Sequence, residues 1–561
     1  MKKNRYTVTI NARNPESHRV QITIRSKNSL PSTLRFPVWT PGSYFVRDYS
    51  RHITRVSNAK KISKNAWQLT PQTNEISYEV YCFERTVRTS FIDENYATLM
   101  GATLLPILDD GFEVTLKLPA HWQFVSSALR FKKKSTGVWT ANVKNSDDWF
   151  DSPIVAATKN YGERGTFLSQ GKRHEIAWVG SDCARSMKDL IRDFKNIANT
   201  TQKMFAGAPF QNYVFLLHFG AKLYGGLEHR NSQLSQFDGN TLHDENSYKD
   251  FLRLIAHEYF HAWNVKSIRP EALGPFDYEK ENYTEDLWFA EGITDYFDDY
   301  IPYKAGLFDK KKYWEERLDD IKMMNDGLPS HFRRSLSESS FDAWIRHYRP
   351  DEDSSNSDVS YYTKGSILGM CWDAYLQKKS HNKWNLEKVM RAIWNEFGVH
   401  ASEKLYTAKP GFTRTELLQF VEKTTKIQQA RLVESWVSSR RPLPWHEALQ
   451  HFKIKLRTKV TDQALHNFGM QINWDHSQAT IAKVISASTA EAAGLSPNDE
   501  LIAIENERIN DKEHFQKQLK KFLPKKKLKL TIARLNKVVT KMILVKPSKS
   551  LGLEFVHHSN V

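Results

Sequence analysis

Alternation with a period of two runs through the first 165 residues or so. RYTVTINAR, RVQITIR, ISYEVYCF and FEVTLKL place apolar side chains at every second position, and LRFPVW and WTANV are short β-rich runs between Asn, Ser, Pro and Gly. Strands send successive side chains to opposite faces, so this pattern predicts an antiparallel β-sandwich over residues 1–165. Beyond 166 the period changes. A helix near Met187 to Met204 precedes the continuous apolar strand NYVFLLHF (Asn212 to Phe219), then GGLEHRNS (Gly225 to Ser232). KKYWEERLDDIKMM, YTKGSILGMCWDAYLQ, NLEKVMRAIWNEF and TRTELLQFVEKTT read as helices, the last opening on a Thr413…Glu416 capping box. SSRRPLP (Ser438 to Pro444) reads as a linker, and β-rich segments with two short helices return over 450–548. The predicted class is multidomain α+β: a sandwich at 1–165, a mainly helical domain at 166–449, a small β-rich domain at 450–548 and a loosely held tail at 549–561.

Composition agrees with several folded domains. The chain has 561 residues, 40% of them hydrophobic and 12% aromatic, more than one core supports. No run of 18 apolar residues exists, so no membrane-spanning helix is expected. The segment MKKNRYTVTINARN lacks an apolar core, which predicts no signal peptide. Cys82, Cys183 and Cys371 are odd in number and far apart, which suits a reducing, cytoplasmic compartment.

The net charge of +17 is uneven. Gln516 to Gly552 holds no acid and many lysines, which reads as solvated faces of strands and a helix, with nucleic acid an unlikely partner. Asp277 to Asp299 carries nine acids and one lysine, a field that favours a cation such as a free peptide amino terminus.

That acidic stretch adjoins the chemistry. In HEYFH, His257 and His261 are four residues apart and share one helix face, with Glu258 beside them. Two such imidazoles can hold one zinc ion, and Glu258 can take a proton from a metal-activated water. Hydrolytic zinc needs a third protein ligand and an open position, and Glu291 in LWFAEGITDYF is the candidate. Asp295 follows one turn later, where it can hydrogen-bond the far nitrogen of a ligating histidine. The first helix is expected to open on a Ser247…Asp250 capping box and the second on Thr284, with Pro270, Gly274 and Pro275 breaking the chain between them. The aromatic turn WTPGSYFVRDYSRH (Trp39 to His52) either reaches the catalytic cleft or packs a domain junction.

WTPGSYFVRDY, GGLEH, HEYFHAWNVKSIRP, FAEGITDYF and the later FGM…AAGLSPNDELIAI together resemble the glycyl aminopeptidases, gluzincin zinc metallopeptidases with a C-terminal PDZ domain. The resemblance implies a thermolysin-like catalytic domain behind the sandwich. It implies one zinc held by His257, His261 and Glu291, Glu258 as general base, and removal of small N-terminal residues, Gly or Ala, from peptides with a free N-terminus. GGLEH resembles the edge-strand motif of larger zinc aminopeptidases. On that analogy Glu228 anchors the substrate amine, with Gly225 and Gly226 in the same substrate-binding strand. Tyr362 in YTKG resembles their oxyanion donor, and the adjacent Tyr361 is the alternative. A peptide or protein ligand of the PDZ-like domain would pair beside Phe468, Gly469 and Met470, although Asn467 and Phe468 stand where a Gly-Leu-Gly-Phe loop is usual. Two rival readings are a zinc endopeptidase fed by the PDZ-like domain and a non-catalytic peptide-binding adaptor.

Overall fold

The computed structural model describes residues 5–108, 110–181, 183–325, 334–398, 411–461, 468–476, 478–522, 525–546 and 548–555. Contacts gather the chain into two compact units: Met1–Thr284, Phe297–Asp309 and Glu387–Thr424 in the first, Glu285–Tyr296, Lys310–Leu386 and Thr425–Val561 in the second.

The first unit begins with the sandwich. Its larger sheet has seven strands, centred on Tyr6–Asn11, Arg19–Ser26 and Phe112–Lys117. Tyr6, Val8 and Ile10 turn inward with Val20, Ile22 and Ile24, as their alternation requires. One departure from the antiparallel expectation is that Tyr6–Asn11 and Phe112–Lys117 pair in parallel. They are separated by a hundred residues of chain, long enough to carry a crossover. A second sheet of four strands shares the core through Ile92, Ala97, Leu99, Val125 and Ile154.

A five-stranded sheet follows, in the order Gly162–Ser169, Lys172–Gly180, Asn212–Phe219, Ser232–Phe237, Tyr224–Glu228. Its three inner strands run parallel, and Asn212–Phe219 is buried along nearly its whole length. That burial is why its sequence is a continuous apolar run rather than an alternating one. Tyr224–Glu228 lies antiparallel at the end of the sheet. Residues from both sides of position 165, among them Val87, Phe91 and Tyr96 with Ala177, Leu216 and Leu227, form one apolar cluster. Helices Met187–Phe205 and Glu245–Phe260 belong to the same unit.

The second unit contains a π-helical turn, Trp288–Gly292, helices that include Lys310–Asn325 and Tyr361–Ser380, and a C-terminal sheet. That sheet runs Met470–Asp475, Gln478–Val484, Glu500–Ile504, Lys527–Arg534, Lys537–Leu544, with helix Lys512–Phe522 packed on its core. The basic stretch is a set of outer faces, partly neutralised by Lys521–Glu507, Lys525–Glu505 and Arg534–Asp499 ion pairs. Ser548–Phe555 is a strand paired with Ile454–Thr461, where the sequence suggested a loose tail. The pairing across eight residues accounts for the order there. Among the described residues no helix is long and apolar enough to cross a membrane.

Candidate metal centre

Helix Glu245–Phe260 starts one turn earlier than the sequence suggested. Asp244 is its N-cap, accepting from the Asn246 and Ser247 amides at 3.0 and 2.9 Å. Tyr248, Phe251, Leu252 and Ile255 line its buried face. That anchoring turns His257 and His261 to one side, with ring centroids 4.7 Å apart. His261 is buried and donates from Nδ1 to the Asn264 carbonyl, 2.7 Å away. His257 Nδ1 donates to Asp298 Oδ2 at 3.0 Å. With each Nδ1 proton committed to an acceptor, Nε2 is the lone-pair nitrogen on both rings, the tautomer a metal requires.

Asp298 is in turn held by Arg253 Nε at 3.0 Å, which also faces Asp299. The sequence points to Asp295 for this role; the acceptor on His257 Nδ1 is Asp298, three residues further along the same helix. Asp295 lies within 4.8 Å of the ligand atoms of His257 and Asp298, but the contact on His257 Nδ1 is Asp298.

Glu291 stands on the π-helical turn, and Thr284 does not cap it: helix begins only at Leu287. The turn meets helix Tyr361–Ser380 backbone to backbone. A Cβ on Gly292 would lie 2.5 Å from Gly365 Cα, and one on Gly365 would lie 2.7 Å from Gly292 Cα. The glycines of FAEG and YTKG therefore exist for a close approach, and single-turn π geometry is common where a side chain is re-aimed for function. At the start of that helix Tyr361 is fully buried and Tyr362 is partly exposed. Burial foremost, and then the Glu291 charge, raise the Tyr362 phenol well above its usual pKa. His347 stacks on Tyr362 with centroids 5.3 Å apart, and burial lowers its pKa against the opposing pull of Glu291.

One ligand atom each from His257, His261 and Glu291 lies within 4.8 Å of the others. Two imidazoles and one carboxylate are a hydrolytic zinc donor set, and the fixed tautomers fit it.

A second cluster joins Glu228, Glu258 and His261 within the same limit. Glu228 ends the edge strand, is 4% exposed, and its carboxylate has no hydrogen-bond or ion-pair partner among the described residues. The WTPG turn packs on it. Thr40 to Ser43 is a turn closed by Ser43 N–H donating to Thr40 O at 3.1 Å, with Gly42 at φ +85°. A Cβ on Gly42 would fall 2.7 Å from Glu228 Oε1. Trp39 also donates to Asp277 O at 2.8 Å, so the aromatic turn both reaches the site and packs the junction. Trp39, Tyr44, Asp151, Glu228, Lys266 and Arg269 help line a small pocket there, of about 20 Å³.

Lys266, from the loop after the histidines, reaches Asp151 at 3.2 Å, and Asp151 also accepts from His229 Nδ1 and the Arg230 amide. Burial alone would raise the Asp151 pKa, but Lys266, His229 and Arg230 outweigh it and hold the carboxyl below its usual range. This hub ties GGLEH and HAWNVKS to the sandwich, a role the sequence did not reveal. In the C-terminal sheet, Phe468 and Met470 are core residues, and Ile485 N–H donates to Gly469 O at 2.8 Å. Met470–Asp475 is the end strand of that sheet. Asn467 lies outside the described residues.

The chain is similar to known proteins over most of its length. The family model described as M61 glycyl aminopeptidase matches residues 250–368, the peptidase M61 N-terminal domain matches 5–158, and a PDZ domain matches 466–545. A solved structure of an aminopeptidase N family protein from Idiomarina loihiensis is similar at 28% identity, covering 98% of both chains with a TM-score of 0.89. An M1 zinc metallopeptidase from Deinococcus radiodurans is similar at 14% identity, over 79% of this chain and 95% of its own, with a TM-score of 0.48. No curated protein matches the chain.

Proposed function

Because the chain belongs to the M61 glycyl aminopeptidase family, zinc metallopeptidases of the gluzincin type with a C-terminal PDZ domain, we propose that it removes small residues, Gly or Ala, from the free N-terminus of peptides. His257, His261 and Glu291 would hold the zinc, Glu258 acts as general base, Glu228 anchors the amine and Tyr362 donates to the oxyanion. We assign the catalytic residues to the segment 166–449. Zinc, when bound, supplies the Lewis acidity that activates water and polarises the scissile carbonyl.

The observation that carries the aminopeptidase reading is Glu228. A carboxylate so buried, and without a partner among the described residues, is costly unless a cation arrives. Its neighbours within 4.8 Å are Glu258 and His261, so an ammonium bound there is a residue's length from the reacting carbonyl. Glu258 then takes the proton of the attacking water and passes it to the leaving amine. Tyr362 is preferred over Tyr361 as oxyanion donor because it is the less buried of the two and lies within reach of the Glu291 charge. Asp298, with Asp295 beside it, orients His257. The odd, widely spaced cysteines support action in a reducing compartment, and we place the enzyme in the cytoplasm on that ground.

The test compares a free-amine peptide with its N-acetylated form on zinc-loaded protein. Release of the first residue from the free peptide alone is expected; equal cleavage of both overturns the reading in favour of an endopeptidase.

A further inference from the structure

The edge strand Tyr224–Glu228 has a cation beside it that no part of the chemistry above uses. Arg88 comes from the sandwich. Its Nη2 lies 3.5 Å from Gly226 O, and a Cβ on Gly225 would be 3.8 Å from its Nη1. A contact of 3.5 Å is at the outer limit of a hydrogen bond, so it locates the guanidinium without satisfying it. Arg88 has no carboxylate partner among the described residues, and its Nε is buried without an acceptor. A guanidinium is thus held at the strand edge with donors to spare.

Strand geometry says what would arrive there. A peptide adding to the outer edge in antiparallel sense, with its amine at Glu228, runs toward Tyr224. At a rise of about 3.4 Å per residue, Gly226 is roughly 7 Å and Gly225 roughly 10 Å from Glu228. Those are the spans of an extended dipeptide and tripeptide. The geometry points to Arg88 as the receiver of the substrate's C-terminal carboxylate, so that the enzyme selects di- and tripeptides with both ends free. A guanidinium matches a carboxylate with paired, charge-assisted hydrogen bonds, whereas a longer peptide passing the same point offers one neutral carbonyl. The inference rests on Glu228 as the amine anchor, which sets the direction and origin of the peptide.

The experiment measures kcat/KM of zinc-loaded wild type, Arg88→Gln and Arg88→Lys on an alanyl dipeptide as free acid and as C-terminal amide. Wild type is expected to prefer the acid by about 10-fold or more. Arg88→Gln should lose about 10- to 100-fold on the acid, mainly through KM, and stay within about twofold on the amide. Arg88→Lys, which keeps the charge without the fork, should retain part of the preference, and it decides the matter if the glutamine variant does not fold. Equal wild-type rates on acid and amide, or equal losses on both in the variants, overturn the Arg88 assignment while leaving the aminopeptidase reading standing. Cleavage of neither peptide overturns both.

Discussion

Gly226 and Glu258 touch only because residue 226 has no side chain. A Cβ there would lie 2.6 Å from Glu258 Cγ and closer still to its carboxylate, and those are the nearest atoms it would meet. The backbone at Gly226 is not in the left-handed region, so alanine is excluded by the proposed base and not by strain.

Gly226→Ala is therefore expected to fold and bind zinc while pushing the Glu258 carboxylate aside. A displacement near 1 Å in a catalytic group costs about 100-fold, and the loss should fall on kcat more than on KM. Steady-state kinetics beside zinc content and a melting curve check it; an unchanged kcat shows that Glu258 does not act from this position.

The His257–Asp298 hydrogen bond makes a separate prediction. Asp298→Ala removes the acceptor that fixes the His257 tautomer, and zinc affinity should drop about 10- to 100-fold. Titration against a competing chelator measures this without reference to catalysis. An affinity equal to wild type assigns the orienting role elsewhere.

Glu228→Gln keeps the shape of the anchor and removes its charge. Cleavage of free-amine peptides should fall at least about 100-fold, the scale of losing one partner of a buried charge pair. An N-acetylated peptide, which never used that charge, should show no comparable loss. Parallel kcat/KM values on the two substrates decide it.

Stability should fall with acid through buried histidines. Burial pushes His174 down to about 4, against the opposing bond from its ring to the Lys172 carbonyl, and burial with the Arg85 charge pushes His218 down to about 3. Both are neutral in the fold, His218 between Tyr96 and Gln236, His174 against Tyr259. Below the unfolded value near 6.5 the unfolded chain binds protons that the native one refuses, so the native state loses about 1.4 kcal/mol per pH unit per histidine. That loss runs from about pH 6.5 down to the folded values and is absent above it. Melting temperature measured from pH 8 to pH 5 should drop below 6.5, and His218→Gln should flatten the drop.

The sequence by itself determined what depends on near neighbours. The i, i+4 histidines follow from helical periodicity, the sandwich strands from alternation, and the Thr413–Glu416 capping box forms as read, with both reciprocal bonds. It also pointed to Glu291 as the third ligand, a residue that lies with His257 and His261. What it could not decide were partners brought together from distant positions. Asp298 meets His257 Nδ1 across 41 residues of chain, with Asp295 close by. Lys266 finds Asp151, Gly42 closes on Glu228, and Gly292 lies on Gly365 across separations of 73 to 186 residues. No local propensity records such pairs; only the packed backbone, which fixes where an absent Cβ leaves room and where a buried charge lacks a partner, selects them.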